Sequence, residues 1–133
     1  MTFTEIHHIA YVYKNVDKAV ENFKSLYGIE KFDEINMGVI KRRATMIGKL
    51  QIHLIEPQDK ESIFHQFLEN GNFGLHHIGY QVDNVDERIK DGESKGLKQV
   101  LGGIVFGAKF VYFDTTATFG HILEFVQPDY KEP

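Results

Sequence analysis

An 11-residue segment near the start of the chain recurs in its second half. Residues 7–17 read HHIAYVYKNVD and residues 76–86 read HHIGYQVDNVD, so seven of the eleven positions are identical at an offset of 69. A second pair follows late in each half, where residues 53–57 read HLIEP and residues 124–128 read EFVQP. Repetition on this scale indicates one supersecondary unit used twice. The sequence therefore predicts two similar halves that bury a core together.

Each half has the same predicted order of elements. An aromatic and β-branched strand precedes a helix with apolar residues at helical spacing, and three more strands follow. Asn15-Val16-Asp17 begins the first helix and Gly28 ends it. The strands are expected at 6–13, 30–36, 38–46, 49–56, 75–82, 97–102, 109–114 and 121–127, with further helices within 58–73 and near 86–95.

This order predicts an α+β fold built from two βαβββ modules. We expect a single domain over residues 1–133. Module one covers 1–57, a linker helix covers 58–73 and module two covers 74–133.

Charge and composition exclude several kinds of partner and chemistry. The net charge of −4 provides no large basic field, so we expect neither a nucleic-acid partner nor a membrane partner. There is no cysteine, which excludes disulfides and thiolate chemistry. The N-terminus lacks the pattern of a signal peptide, and we expect a cytoplasmic protein. Seven histidines in 133 residues point to metal or acid–base chemistry.

The repeat singles out three of these histidines and one glutamate as candidate metal ligands. Because side chains alternate along a strand, only one histidine of each HH pair can face a given pocket. The matched positions are His8 with His77, and His53 with Glu124. Three imidazoles and a carboxylate suit one divalent ion of Zn, Ni, Co, Mn or Fe.

Three segments together, HHIAYV…NVDKAVENF, GLHHIGYQVDNVD and GHILEFVQP, resemble the vicinal oxygen chelate superfamily of glyoxalases, bleomycin resistance proteins and extradiol dioxygenases. The methylmalonyl-CoA epimerase and glyoxalase I branches are the most similar. The resemblance implies that the paired βαβββ modules form a curved mixed sheet around a metal site. It also implies metal ligands on the first and last strand of each module. Carried over by position, these ligands are His8, His53, His77 and Glu124.

Two positions depart from those branches. His53 stands where the branches usually carry Glu or Gln. The epimerases also place a catalytic Glu on the third strand of module one, and the aligned position here falls on or near Lys41. We expect Gln51 to line the pocket by its strand parity, and Lys41 and Arg43 to bind an anionic group of the substrate.

The expected function is that of a metal-dependent lyase or isomerase of the glyoxalase or epimerase type. Its small substrate would bind through two neighbouring oxygens and react through a metal-stabilised enolate. Glu124 is the expected base as well as a ligand. The alternatives are an iron-dependent dioxygenase of the same superfamily and a non-catalytic small-molecule binding protein. The superfamily commonly forms dimers, so a homodimer is expected.

Overall fold

The computed structural model describes residues 5–133. They form two compact units. The first unit covers residues 8–76, and the second covers residues 77–133 together with residues 5–7. Apart from the residues at these boundaries, each half of the repeat lies within one unit.

The first unit contains a four-stranded mixed sheet and two helices. In chain order the elements are β1 (Glu5–Val12), α1 (Val16–Tyr27), β2 (Asp33–Asn36), β3 (Ile40–Ile47), β4 (Leu50–Pro57) and α2 (Ile63–Glu69). The strand order is β2-β3-β4-β1, in which β1 pairs with β4 in parallel and the other neighbours are antiparallel.

Helix α1 covers one face of this sheet. The side chain of Asn15 caps its first turn by accepting from the Lys18 N–H, and Gly28 ends it with a positive φ of 70°. Val16 and Ala19 are buried against β4, and with Ile52 and Leu54 they form the core of the unit. The face of the sheet opposite α1 is therefore not part of this core.

The second unit repeats this arrangement. Its strand order is β5-β8-β7-β6, again with one parallel pair, β5 with β8. Its core consists of Val82, Val85, Val111, Phe113, Leu123 and Phe125. In chain order the elements are β5 (Gly74–Gln81), α3 (Val85–Ser94), β6 (Gln99–Val105), β7 (Ala108–Phe113), α4 (Thr116–Phe119) and β8 (Ile122–Gln127).

Within each unit, one side-chain contact occupies the position that the repeat predicts from the other unit. Glu56 Oε1, at the end of β4, accepts a hydrogen bond of 3.0 Å from the Val16 N–H. Gln127 Oε1, at the end of β8, accepts one of 3.0 Å from the Val85 N–H. In each unit the last strand therefore satisfies an amide at the start of the helix, which has no partner within the helix itself. This equivalence supports the alignment of HLIEP with EFVQP.

The prediction of an α+β fold with two βαβββ modules and mixed strand pairing is confirmed. β4 includes Pro57, although the sequence predicted that this strand ends at residue 56. The linker helix, predicted over 58–73, occupies only Ile63–Glu69. The short helix α4 was not predicted, since its four residues are too few to show a helical period. Among residues 5–133, no helix is both long enough and apolar enough to span a bilayer.

Candidate functional site

The first unit carries two predicted ligands on the face of its sheet opposite α1. His8 and Ala10 on β1 are buried and alternate with Ile9 and Tyr11, which pack toward the α1 core. His53 on β4 lies across from Ala10 in the parallel pair. We call this surface, opposite α1, the histidine face.

The two imidazoles of the histidine face are in direct contact. The rings of His8 and His53 are stacked with centroids 4.3 Å apart, and both side chains are buried. Gln51 is two residues before His53 on the same face, and its Oε1 atom contacts Nε2 of His53. The strand parity predicted for Gln51 is therefore confirmed, whereas its role in substrate binding stays a prediction.

The second unit carries the other two predicted ligands on the face opposite α3. Glu124 on β8 lies across from Gly79 on β5 and alternates with core residues Leu123 and Phe125. The His77 Nε2 atom is 3.2 Å from Glu124 Oε1, and both side chains are almost completely buried. A buried charge of this kind requires a close polar partner. We call this surface the glutamate face.

Tyr112 completes the glutamate face. It lies directly across from Glu124 in the antiparallel pair of β7 and β8. Its hydroxyl oxygen is 3.2 Å from the same Nε2 atom of His77, and its ring packs against the imidazole with centroids 4.6 Å apart. Tyr112 was not predicted as a site residue. The alternation of Val111, Tyr112 and Phe113 was the signal that could have placed it beside Glu124.

The geometry of His77 and Glu124 fits a shared metal ion. Ligand atoms about 2.1 Å from one ion lie roughly 3.0–3.4 Å apart at tetrahedral or octahedral angles. The observed separation of 3.2 Å falls within this interval. Imidazole nitrogen and carboxylate oxygen are also the ligand types that zinc and the other divalent transition ions accept. The residues present therefore fit such an ion.

Lys41 and Arg43 of β3 do not lie on the side of the sheet that the sequence predicted. In the antiparallel pair of β3 and β4, Lys41 lies across from Glu56 and Arg43 across from Leu54, so both point to the α1 side. Lys41 Nζ is 3.7 Å from Glu56 Oε2, and Arg43 is buried.

Arg43 also forms a salt bridge with Asp17 of α1, with 3.4 Å between Arg43 Nη2 and Asp17 Oδ1. The expectation that Lys41 and Arg43 bind an anionic group of the substrate assumed that both side chains lie on the pocket face. Their partners lie on the α1 side instead, so the assumed strand alternation was wrong by one residue. Arg42, between them, lies on the histidine face instead.

Two further histidines contact residues of α2 rather than the ligands proposed from the sequence. His76 is buried between Phe64 and Phe67 of α2, with ring centroids 5.0 and 4.9 Å away. His65 on α2 forms an ion pair with Glu69, 3.2 Å from Nε2 to Oε1, when it is protonated.

Comparison with known proteins identifies one family. The profile described as the Glyoxalase/Bleomycin resistance protein/Dioxygenase superfamily matches residues 7–113. The match includes His8, His53 and His77 and ends before Glu124.

Two curated relatives are methylmalonyl-CoA epimerases of mitochondria. The chain is 23% identical to the Homo sapiens protein over 106 residues, which is 77% of this chain and 60% of that protein. It is 24% identical to the Dictyostelium discoideum protein over 89 residues, or 65% of this chain and 54% of that protein. The chain thus spans less than two thirds of the length of either relative.

Solved structures show the same fold. A variant of the Streptomyces coelicolor methylmalonyl-CoA epimerase, in complex with 2-nitronate-propionyl-CoA, has a TM-score of 0.81 at 22% identity and covers 97% of this chain and 100% of its own. The Mycobacterium tuberculosis methylmalonyl-CoA epimerase has a TM-score of 0.78 at 20% identity, with coverage of 95% and 89%.

Proposed function

Because this chain belongs to the glyoxalase/bleomycin resistance protein/dioxygenase superfamily, we propose that it is a metal-dependent isomerase or lyase that moves a proton next to a substrate carbonyl. The resemblance to the vicinal oxygen chelate proteins is confirmed by the family match. The observation that carries the proposal is the buried pair of His77 and Glu124, with Nε2 and Oε1 3.2 Å apart. The epimerase relatives favour the isomerase type and an acyl-CoA thioester as the first substrate class to test.

We propose His8, His77 and Glu124 as protein ligands of one divalent ion, with His53 as the fourth. All four side chains are buried, and the repeat relates them in pairs. When bound, the cation would act as a Lewis acid toward two neighbouring substrate oxygens and would stabilise negative charge on the carbonyl.

The chain's own residues supply the proton transfer. Glu124 accepts the proton of the carbon next to the carbonyl at one of its carboxylate oxygens, and returns it later. Tyr112 and His77 pack beside this carboxylate and hold its orientation. The side chains of His77 and Glu124 are almost completely buried, so bulk water is kept away from this carboxylate. A carboxylate can act as a general base when it lies within hydrogen-bond reach of the proton that it accepts.

A non-catalytic binding protein is the second candidate, and one observation favours it. β3 presents Arg42, not a carboxylate, on the histidine face. An enzyme that inverts a carbon by a two-base mechanism needs an acceptor on each side of that carbon. Turnover therefore separates the two candidates, and dependence on oxygen identifies the dioxygenase alternative. The cytoplasmic location and the homodimer remain part of the proposal.

The decisive experiment is α-proton exchange in D₂O, followed by NMR, on protein whose metal content has been measured. The panel contains acyl-CoA thioesters, hemithioacetals and 2-oxo acids. We expect exchange that requires a divalent ion and is lost on chelation. Stoichiometric binding of a panel compound without any exchange would leave the binding protein as the function.

A further inference from the structure

A cavity lies in the first unit between α1 and the chain that follows α2. Its volume is about 470 Å³, which is within the range of small-molecule sites. α1 contributes Ala19 and Phe23, the end of α2 contributes Leu68, and the segment before β5 contributes Phe73. None of the described residues proposed as metal ligands or substrate contacts lines it. This cavity, which we call the α1 cavity, is therefore separate from the histidine face.

Aromatic rings form much of the wall of the α1 cavity. Tyr13 and Phe23 are half-buried, and their rings meet edge-on with centroids 6.5 Å apart. Phe73 lines the cavity as well but is 76% exposed. A phenylalanine so exposed contributes little to the core, whereas a flat ring placed beside it would remove part of its surface from water. The walls of the cavity therefore suit an aromatic ligand.

The charged residues of the α1 cavity are of one sign. Lys14 and Lys18 line it and are exposed, and no acidic residue among those described does so. Glu56 and Glu69 line an adjoining cavity that shares Lys14 with this one. Among residues 5–133, no carboxylate forms a salt bridge with the ammonium group of Lys18. Lys18 is therefore the lysine best able to attract an anion into the cavity.

We propose that the α1 cavity binds a small aromatic carboxylate, with its ring against Phe23 and Phe73 and its carboxylate beside Lys18. Apolar walls alone would accept any hydrophobic compound, but a lysine without a competing acid favours an anion by charge complementarity. Asn22 and Asn72 also line the cavity, and their amide groups can donate hydrogen bonds to a carboxylate. The proposal requires neither a bound metal nor the proposed function.

The test compares 2-naphthoate with its uncharged analogue 2-naphthamide, which has the same fused ring. Each compound is titrated into the full chain, and naphthalene fluorescence measures its affinity. The wild type should bind one molecule of 2-naphthoate per chain, about three- to fivefold more tightly than 2-naphthamide, as one exposed ion pair allows. Excess chelator should leave the affinity unchanged, because none of the proposed metal ligands lines the cavity.

Two variants separate the charge from the ring contact. Lys18→Met should lower the preference for 2-naphthoate to less than about twofold and leave the affinity for 2-naphthamide nearly unchanged. Phe73→Ser should weaken the binding of both compounds by about two- to tenfold, because the loss of an aromatic contact does not depend on charge. Both side chains are exposed, so the fold should not depend on them.

Lys24→Met and Leu26→Ser are the matched controls, since both residues are exposed on α1 and neither lines the cavity. They should leave both affinities unchanged. A loss of the 2-naphthoate preference in Lys24→Met as large as that in Lys18→Met would overturn the proposal. So would equal affinities of the wild type for the two compounds, or no saturable binding of either.

An NMR titration with 2-naphthoate locates the bound compound. The amide signals of Phe23 and Leu68 should shift, and that of His53 should stay in place. Shifts confined to the histidine face, or binding that is lost on chelation, would also overturn the proposal, because the carboxylate would then bind at the metal site.

Discussion

His77 on β5 holds its Nε2 atom 3.2 Å from Oε1 of Glu124 on β8, and Tyr112 on β7 reaches the same nitrogen from 3.2 Å. Three strands of one unit thus converge on a single imidazole. Their register puts Tyr112 and Gly79 on either side of Glu124.

Metal binding should depend on the paired histidines. We expect about one divalent ion per chain, and at least tenfold weaker binding in both His8→Ala and His77→Ala, since each loses one ligand. Inductively coupled plasma analysis and competition with a chelating dye measure occupancy and affinity. His65→Ala is the control, because His65 pairs with Glu69 on α2 and should leave the affinity unchanged. Equal retention of metal in all three variants would refute the ligand assignment.

Gly92 of α3 should not tolerate a side chain. A Cβ atom at this position would lie 2.6 Å from the ring of Phe113, which is fully buried against the core of the second unit. Gly92→Ala should therefore lower the free energy of unfolding by about 1–3 kcal/mol, despite the higher helix propensity of alanine. Urea denaturation measures the change.

Glu93→Ala is the control for this prediction, because Glu93 is exposed on the same helix. It should change stability by no more than about 0.5 kcal/mol. A Gly92→Ala protein as stable as the wild type would show that Phe113 can move aside.

Asp86 should make the stability of the second unit depend on pH. Hydrogen bonds from Lys109 Nζ at 2.6 Å and from the Tyr130 hydroxyl at 2.7 Å lower the pKa of its carboxyl. A lowered pKa stabilises the folded state above the unfolded-state pKa, and this contribution is lost as pH falls through the folded-state pKa. Asp86→Asn should thus melt at a lower temperature than the wild type at pH 7.

That difference should shrink once the pH drops below about 4, where the carboxyl of the unfolded chain takes up a proton. Scanning calorimetry at pH 7, 5 and 3 follows the trend. A constant difference in melting temperature across the series would show that the ion pair with Lys109 does not stabilise the fold.

The repeat made most of the fold predictable. It gave the element order of both units, and it paired His53 with Glu124, which the structure places opposite Ala10 and Gly79 in equivalent parallel strands. Strand alternation also placed Gln51 beside His53.

The side chains of β3 were harder to predict. Three consecutive cations give no apolar alternation, so nothing local fixes which of them faces α1. Only the pairing of Arg43 with Leu54 decides it, and that is a non-local contact. Tyr112 was similarly obscured, because Phe110, Val111, Tyr112 and Phe113 form a continuous apolar run without a clear polar face.

The central claim is that Glu124 transfers the proton as well as holding the metal. Glu124→Gln keeps the shape and one coordinating oxygen but cannot accept a proton. The most direct measurement is α-proton exchange by this variant at a metal occupancy matched to the wild type. We predict exchange reduced by about 10²–10⁴ with a melting temperature near that of the wild type. Exchange restored to the wild-type rate by excess metal would contradict the claim, since Glu124 would then serve only as a ligand.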